Sequence, residues 1–138
     1  MLHTKKLLVV KNTTYKVLFI SWMMFVTFFS LFSFSGVDTA KFNIPHIDKA
    51  VHFTFYMVMV VLGFMAFAKN KEHIKNSHKL LRYIVLFSIL YGIIIEVIQG
   101  VFTVNRHGDL LDVLANFTGA IIGMLLVRFW FFRNRSLK

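Results

Sequence analysis

The sequence predicts an all-α integral membrane protein, a bundle of four transmembrane helices with both termini in the cytoplasm. Hydrophobic residues make up 57% of the 138 residues, and the mean hydropathy is +0.68. Charged residues make up 16% of the chain, whereas a soluble domain carries about 25%. The apolar residues form four blocks, each close to the roughly 20 residues that a helix needs to span a bilayer. The length fits one domain, so we treat residues 1–138 as a single transmembrane domain.

The first span is predicted at about 17–36, directly after a segment with four lysines. A secretory signal peptide is the alternative, because a basic start also precedes the apolar core of a signal peptide. That core is typically about 7–15 residues long, and a cleavage site of small residues follows it. The run from Val17 to Gly36 is longer, and no A-x-A-like site follows it. We therefore expect an uncleaved first span.

The remaining spans are predicted at about 47–68, 80–102 and 110–132. The last one ends in RFWFFRNR, and aromatic and arginine side chains of this kind anchor a helix at the membrane interface. The N-terminal segment, the 69–82 loop and the C-terminal tail together hold 13 Lys and Arg, and the two opposite loops hold three. Cytoplasmic loops carry the excess of positive charge, so both termini are expected inside the cell.

The net charge of +10 does not point to nucleic acid. The basic residues lie at the ends of apolar blocks, without a recognition motif or a base-stacking platform around them. Setting the membrane topology explains them better. The chain has no cysteine, which excludes disulfides, thiol catalysis and Cys-based metal sites.

Polar side chains on three different spans are predicted to lie at a similar depth. Counted from the cytoplasmic boundaries at 1.5 Å per residue, His52, Glu96, Asp112 and Asn116 lie about 18–25 Å up. Each such group is costly when it faces lipid, about 2.5–3.5 kcal/mol for an aspartate at a helix centre. We therefore expect these groups to face one another in a single polar pocket that opens on the extracytoplasmic side.

Each candidate also has a structural interpretation. Asp109 and Asp112 stand where a helix begins, so they can act as its N-cap and first-turn acid. Asp48 and His52 are four residues apart and can form a local pair. Glu96 has only apolar neighbours from Ile93 to Ile98, and an intramembrane carboxylate is a functional-site hypothesis unless a structural ion pair holds it.

One stripe of the fourth span combines polar and small residues. Asn116 lies between the aspartates and a GxxxG motif, Gly119 and Gly123, at helical spacing. An asparagine in a membrane helix more often bonds a neighbouring helix than a ligand, and GxxxG allows close helix packing. We expect both glycines to serve helix packing.

The same residues resemble the VanZ-like family of small multi-span membrane proteins, over roughly residues 44–127. The marks are Asp48-Lys49, His52-Phe53 and Tyr56, then Glu96 with Gln99, and then Arg106, Asp112 and Asn116 with Gly119 and Gly123. The family often has a proline between the second and third groups, where this chain reads GVFTVN. The resemblance implies a bacterial-type cytoplasmic (inner) membrane protein that acts at the outer face of the envelope and affects glycopeptide (teicoplanin) susceptibility. It supplies no established reaction.

The first functional hypothesis is that the pocket engages an envelope lipid or a lipid-linked precursor. In this hypothesis Lys49 and Arg106 hold phosphate, and the carboxylates accept hydrogen bonds from sugar or amine groups. The candidate ligand-binding residues are Asp48, Lys49, His52, Glu96, Gln99, Arg106, Asp112 and Asn116. The lipid bilayer is the expected partner, and the sequence leaves the oligomeric state open.

The second hypothesis makes the pocket catalytic, with His52, Glu96, Asp109 and Asp112 as candidates for acid–base hydrolysis of a lipid-linked substrate. No cofactor is expected, although a His/carboxylate set of this kind can also bind Mg²⁺, Mn²⁺ or Zn²⁺. The third hypothesis is small multidrug-type transport coupled to a membrane carboxylate. It ranks last, because the first span has no acid and Glu96 lies near the outer end of the third.

Overall fold

The computed structural model describes residues 2–31, 47–68, 74–102 and 109–132, and it is helical over nearly all of them. The α-helices are α1 (Leu2–Leu31), α2 (Ile47–Phe67), α3 (Ile74–Phe102) and α4 (Leu110–Val127), and a π-helical turn (Arg128–Phe132) continues α4. All four helices are long and apolar enough to cross a membrane. For the residues that the structure describes, the prediction of an all-α fold with four helices of membrane-spanning length is confirmed.

The predicted spans agree with the helices to within a few residues at most ends. The exceptions are the starts of α1 and α3, which begin before the apolar runs that were used to find them. A helix can continue into the aqueous boundary, where hydropathy no longer marks it. Residues 32–36 of the first predicted span lie outside the described residues.

Helix α2 forms the centre of the bundle, because among the described helices it has the most extensive contacts with the other three. One face of α2 is buried along its whole length, with residues recurring at the helical spacing of three and four. The largest fully buried side chains on this face are Tyr56, Met59, Val60 and Phe64. Helix α1 contacts α2 and α3 but not α4 within the described ranges.

Hydrogen bonds tie α1 to its two neighbours. The Trp22 indole N–H donates to the Phe55 carbonyl on α2 at 2.9 Å, and the Thr27 and Tyr91 hydroxyls join α1 to α3. Phe19 and Val26 are buried in the same core. Helix α1 is therefore an integral part of the packed bundle, as the prediction of a first span requires.

The outer surface of the bundle is apolar. Large side chains such as Met24, Leu90 and Trp130 are more than half exposed, and they lie on helices that are long enough to span a membrane. A water-soluble monomer rarely exposes contiguous apolar surface on this scale. Lipid is the solvent that fits this surface.

Two glycines set the distance between α2 and α4. A β-carbon added to Gly119 would lie 2.1 Å from the Phe53 carbonyl oxygen, and one added to Gly123 would lie 2.7 Å from that of Met57. Real side chains do not approach backbone atoms this closely. The GxxxG motif therefore brings the two backbones together, as small-xxx-small motifs do in membranes.

Substituting Gly119 with alanine is expected to destabilise the protein, because the obstacle is backbone that cannot rotate away. Overpacking of this kind costs about 1–3 kcal/mol, occasionally more. Gly100→Ala, on the exposed side of α3, should be neutral or stabilising by up to about 1 kcal/mol, because alanine favours the helix and meets no obstacle there. Reversible unfolding in mixed detergent measures both variants, and equal stability of the two would contradict the close packing.

A candidate polar site at one end of the bundle

The helix directions bring three sets of polar residues to one end of the bundle. Helices α2 and α4 are parallel, since Phe53 meets Gly119 and Met57 meets Gly123. Helix α3 is antiparallel to α2, since Gly63 meets Ile84 near the other end whereas Tyr56 meets Gly92 closer to the polar end. The first turns of α2 and α4 therefore lie beside the last turns of α3. The predicted similar depth of His52, Glu96 and Asp112 requires helices that run in these directions.

Lys49 links the first turn of α2 to the start of α4. Its Nζ lies 2.7 Å from Asp48 Oδ2, 2.9 Å from Asp109 Oδ2 and 3.1 Å from Asp112 Oδ1. Carboxylates near a helix N-terminus also interact favourably with the positive end of the helix dipole. Lys49 is thus compensated by three carboxylates, two of them from another helix.

His52 lies one turn further along α2 and is buried. Its Nδ1 lies 3.1 Å from Asn116 Oδ1 on α4, and because an amide oxygen only accepts, Nδ1 carries the proton in this bond. In the neutral ring Nε2 then carries the lone pair, and it faces Asp112 Oδ2 at 3.9 Å. The Asn116 bond therefore fixes both the orientation and the tautomer of the ring.

Glu96 completes the cluster from α3 and is buried. Its Oε1 lies 3.6 Å from His52 Nδ1, and its Oε2 lies 3.4 Å from the Asp109 backbone N–H. One ligand atom each from His52, Glu96 and Asp112 lie within 4.8 Å of one another. A histidine and two carboxylates in this arrangement can exchange protons or hold a divalent cation.

Asp109 has two roles in the structure. It is the N-cap of α4, where its side chain accepts a hydrogen bond from the Leu111 N–H at 2.9 Å, as an N-cap does. That bond and then the Lys49 ammonium hold the pKa of the Asp109 carboxyl below its usual range. The carboxylate is therefore ionised at neutral pH, so it can cap α4 and bind Lys49 at the same time.

A recess of about 490 Å³ opens beside these residues. Its polar wall contains the imidazole of His52 and the carboxylates of the aspartates, and its other wall is apolar. The lining residues are Phe29, Ser30, Ile47, Asp48, Val51, His52, Phe55, Gln99, Asp109 and Asp112. The apolar members were not among the predicted site residues, because their sequence pattern is the same as that of lipid-facing residues.

Three further residues were predicted to bind a ligand, namely Asp48, Gln99 and Arg106. Gln99 lines the recess, but its side chain donates to the Ser30 carbonyl on α1 at 2.6 Å, which ties two helices together. Asp48 pairs with Lys49, and the alternative pair with His52 is not formed. Arg106 lies outside the described residues.

A comparison with models of protein families shows the family to which this chain belongs. The family model described as VanZ/LLP1 matches residues 4–132, which includes all four helices and the polar cluster. Comparisons with curated proteins and with solved structures give no match. The family model covers nearly the whole chain, and the protein is a multi-pass membrane protein that belongs to the VanZ/LLP1 family.

Proposed function

We propose that this protein binds the head group of an envelope lipid or a lipid-linked precursor in the recess, and that it thereby affects teicoplanin susceptibility. The observation that carries the proposal is the convergence of His52, Glu96 and Asp112, from three helices, beside the recess. Ionisable groups in a membrane bundle mark functional sites by default. A pocket built from three helices holds a ligand more rigidly than a loop does.

The two walls of the recess suit an amphiphile. Asp48, His52 and the α4 aspartates offer hydrogen-bonding groups, while Val51 and Phe55 belong to the apolar wall. Both apolar residues are partly open to the bundle surface. A ligand with a polar head and a hydrocarbon chain can therefore satisfy both walls at once, whereas a fully polar solute cannot.

The charges favour a head group with hydrogen-bond donors. Four carboxylates lie around the recess and its edge, and Lys49 is bound by three of them. Carboxylates accept hydrogen bonds from sugar hydroxyls and amines. Lys49 has little capacity left for a phosphate, so direct phosphate binding is assigned to Arg106.

Substituting Glu96 with glutamine is expected to weaken lipid binding by about tenfold or more, because a hydrogen bond to a charged group contributes about 1.5–3 kcal/mol. Lipid that copurifies with the protein can be extracted and quantified by mass spectrometry. In cells, Glu96→Gln and Arg106→Ala should both abolish any teicoplanin resistance that the parent chain confers, at unchanged membrane abundance.

The matched control is Ser88→Ala. Ser88 is buried two turns before Glu96 on α3, and its hydroxyl donates to the Ile84 carbonyl of its own helix. This variant should retain the lipid and the phenotype. Parental resistance in both Glu96→Gln and Arg106→Ala, at parental abundance, would refute the proposed function.

The proposal requires that the polar end of the bundle face away from the cytoplasm, as the distribution of basic residues predicts. The chain has no cysteine, so single cysteines can report the orientation. A membrane-impermeant maleimide applied to intact cells should label Leu110→Cys, at the polar end, and not Lys79→Cys, near the other end. Both positions are exposed, and the reverse labelling pattern would invert the topology.

A second candidate function is hydrolysis of a lipid-linked phosphate ester. The observation that favours it is the tautomer of His52, whose Nε2 is left as a base facing Asp112. In this reaction the oxygen of a water molecule bonds to phosphorus while Nε2 takes a proton of the water, and the bond from phosphorus to the leaving oxygen breaks. The imidazolium then gives that proton to the leaving oxygen, so that the histidine returns to its neutral form.

Hydrolysis predicts phosphate release from a lipid-linked phosphate by the purified protein in detergent. His52→Asn should slow this release by about 100-fold or more, the usual contribution of general-base catalysis. Thr54→Ala, an exposed position on α2 whose hydroxyl bonds the Ala50 carbonyl, should leave the rate unchanged. No release above a protein-free blank across a panel of such lipids would remove this candidate.

A further inference from the structure

We propose that His52, Glu96 and Asp112 form a binding site for one divalent metal ion. The inference deepens the proposed function, on which it rests for the ligand that the ion would face, namely the phosphate of the lipid head group. The metal site itself is argued from the geometry of the three side chains. A test of metal binding alone can therefore fail or succeed independently of lipid binding.

The distances between the three ligand atoms suit a shared ion. They lie within 4.8 Å of one another, and atoms that bind one ion at about 2.0–2.2 Å stand about 3 Å apart. To share an ion with Nε2, the Glu96 carboxylate, whose Oε1 lies 3.6 Å from Nδ1, would rotate toward the Nε2 side of the ring. His52 Nε2 and Asp112 Oδ2, 3.9 Å apart, are too far apart for a hydrogen bond and can bind an ion between them.

The surroundings orient each group as a ligand. Asn116 accepts the proton of His52 Nδ1, which leaves Nε2 for the metal; metal-binding histidines almost always have such a partner. Asp112 bonds Lys49 through Oδ1, so that its Oδ2 is turned toward the histidine. The lysine therefore holds the carboxylate in place without occupying its second oxygen.

The Asn116 amide that contacts His52 is itself buried. Its residue is 2% exposed, and its Nδ2 has no hydrogen-bond partner among the residues that the structure describes. Its oxygen lies on the Nδ1 side of the imidazole, opposite the Nε2 that would bind the ion. A water molecule on the Nδ1 side would supply the acceptor that buried donors normally have, and would help hold the amide oxygen against Nδ1.

The chemistry of the donors restricts the ion. One imidazole nitrogen and two carboxylate oxygens suit Mn²⁺ and Zn²⁺, with Mg²⁺ weaker because it prefers oxygen ligands. The ion also accounts for how a recess lined by carboxylates accepts an anionic head group. Its positive charge would lie between the protein carboxylates and the phosphate, and three protein ligands leave positions open for phosphate oxygens.

The experiment uses the full chain, purified in detergent and stripped with a chelator, titrated with Mn²⁺ and followed by electron paramagnetic resonance. We expect one Mn²⁺ per chain, displaced by Zn²⁺. Glu96→Gln and Asp112→Asn should each weaken binding by more than about 100-fold, and Asn116→Ala by about 10- to 100-fold, as is usual for a partner of a metal-binding histidine. Circular dichroism and unfolding in detergent verify that each variant is folded.

The matched control is Glu72→Gln, which removes one carboxylate from the 69–82 loop, a segment with no residue in the proposed site. It should bind Mn²⁺ within about threefold of the parent, because a charge in that loop is screened from the polar end of the bundle. Binding weakened as much by Glu72→Gln as by Asp112→Asn would indicate a general attraction to negative charge and would overturn the site. So would the absence of stoichiometric binding to the folded parent.

Lipid quantified in the same samples separates the two proposals. Mn²⁺ bound at one equivalent with no retained lipid would support the metal site and overturn the proposed function. Lipid retained equally with and without chelator, with no Mn²⁺ binding, would support the proposed function and overturn the metal site. Lipid lost on chelation and restored by Mn²⁺ supports both.

Discussion

The close approach of α2 and α4 at Gly119 and Gly123 is the constraint on which the rest of the structure depends. It fixes two parallel helices in one register, with α4 backbone against the Phe53 and Met57 carbonyls. That register places Asn116 beside His52, and Asp112 beside both His52 and Lys49. The polar contacts therefore follow from the packing of small residues. In a membrane this order is expected, because lipid provides no hydrophobic force to bring helices together.

The polar groups divide into two parts. Lys49 satisfies the carboxylates near the surface, and its contacts join the first turn of α2 to the start of α4. Deeper in the bundle, His52 and Glu96 are buried, and His52 Nδ1 lies 3.6 Å from Glu96 Oε1. The outer part closes and orients the end of the bundle, while the inner part has the chemistry to meet a ligand. A carboxylate shared by both parts, Asp112, is the link between them.

The four helices and the depth of the polar residues could be predicted from the sequence. The individual partners of the polar side chains could not, because they depend on contacts between helices. Long apolar runs predicted four spans, and the rise per residue predicted that His52, Glu96 and Asp112 share one depth. The partners of Lys49 could not be predicted, because two of its three carboxylates come from a helix about 60 residues away. The role of Gln99 was also hidden, since its acceptor is a backbone carbonyl of α1, and backbone acceptors leave no mark in a sequence.

The core beneath the cluster argues against a transport path through the bundle. A coupling carboxylate in a transporter must be reached from both sides of the membrane, whereas Glu96 lies within two turns of the end of α3. Further along α2, Tyr56, Met59, Val60 and Phe64 are fully buried. These side chains fill the described bundle centre between the polar end and the other end. A recess at one end of the bundle suits the proposed binding of a head group at the membrane surface, because such a ligand can enter and leave by the same opening.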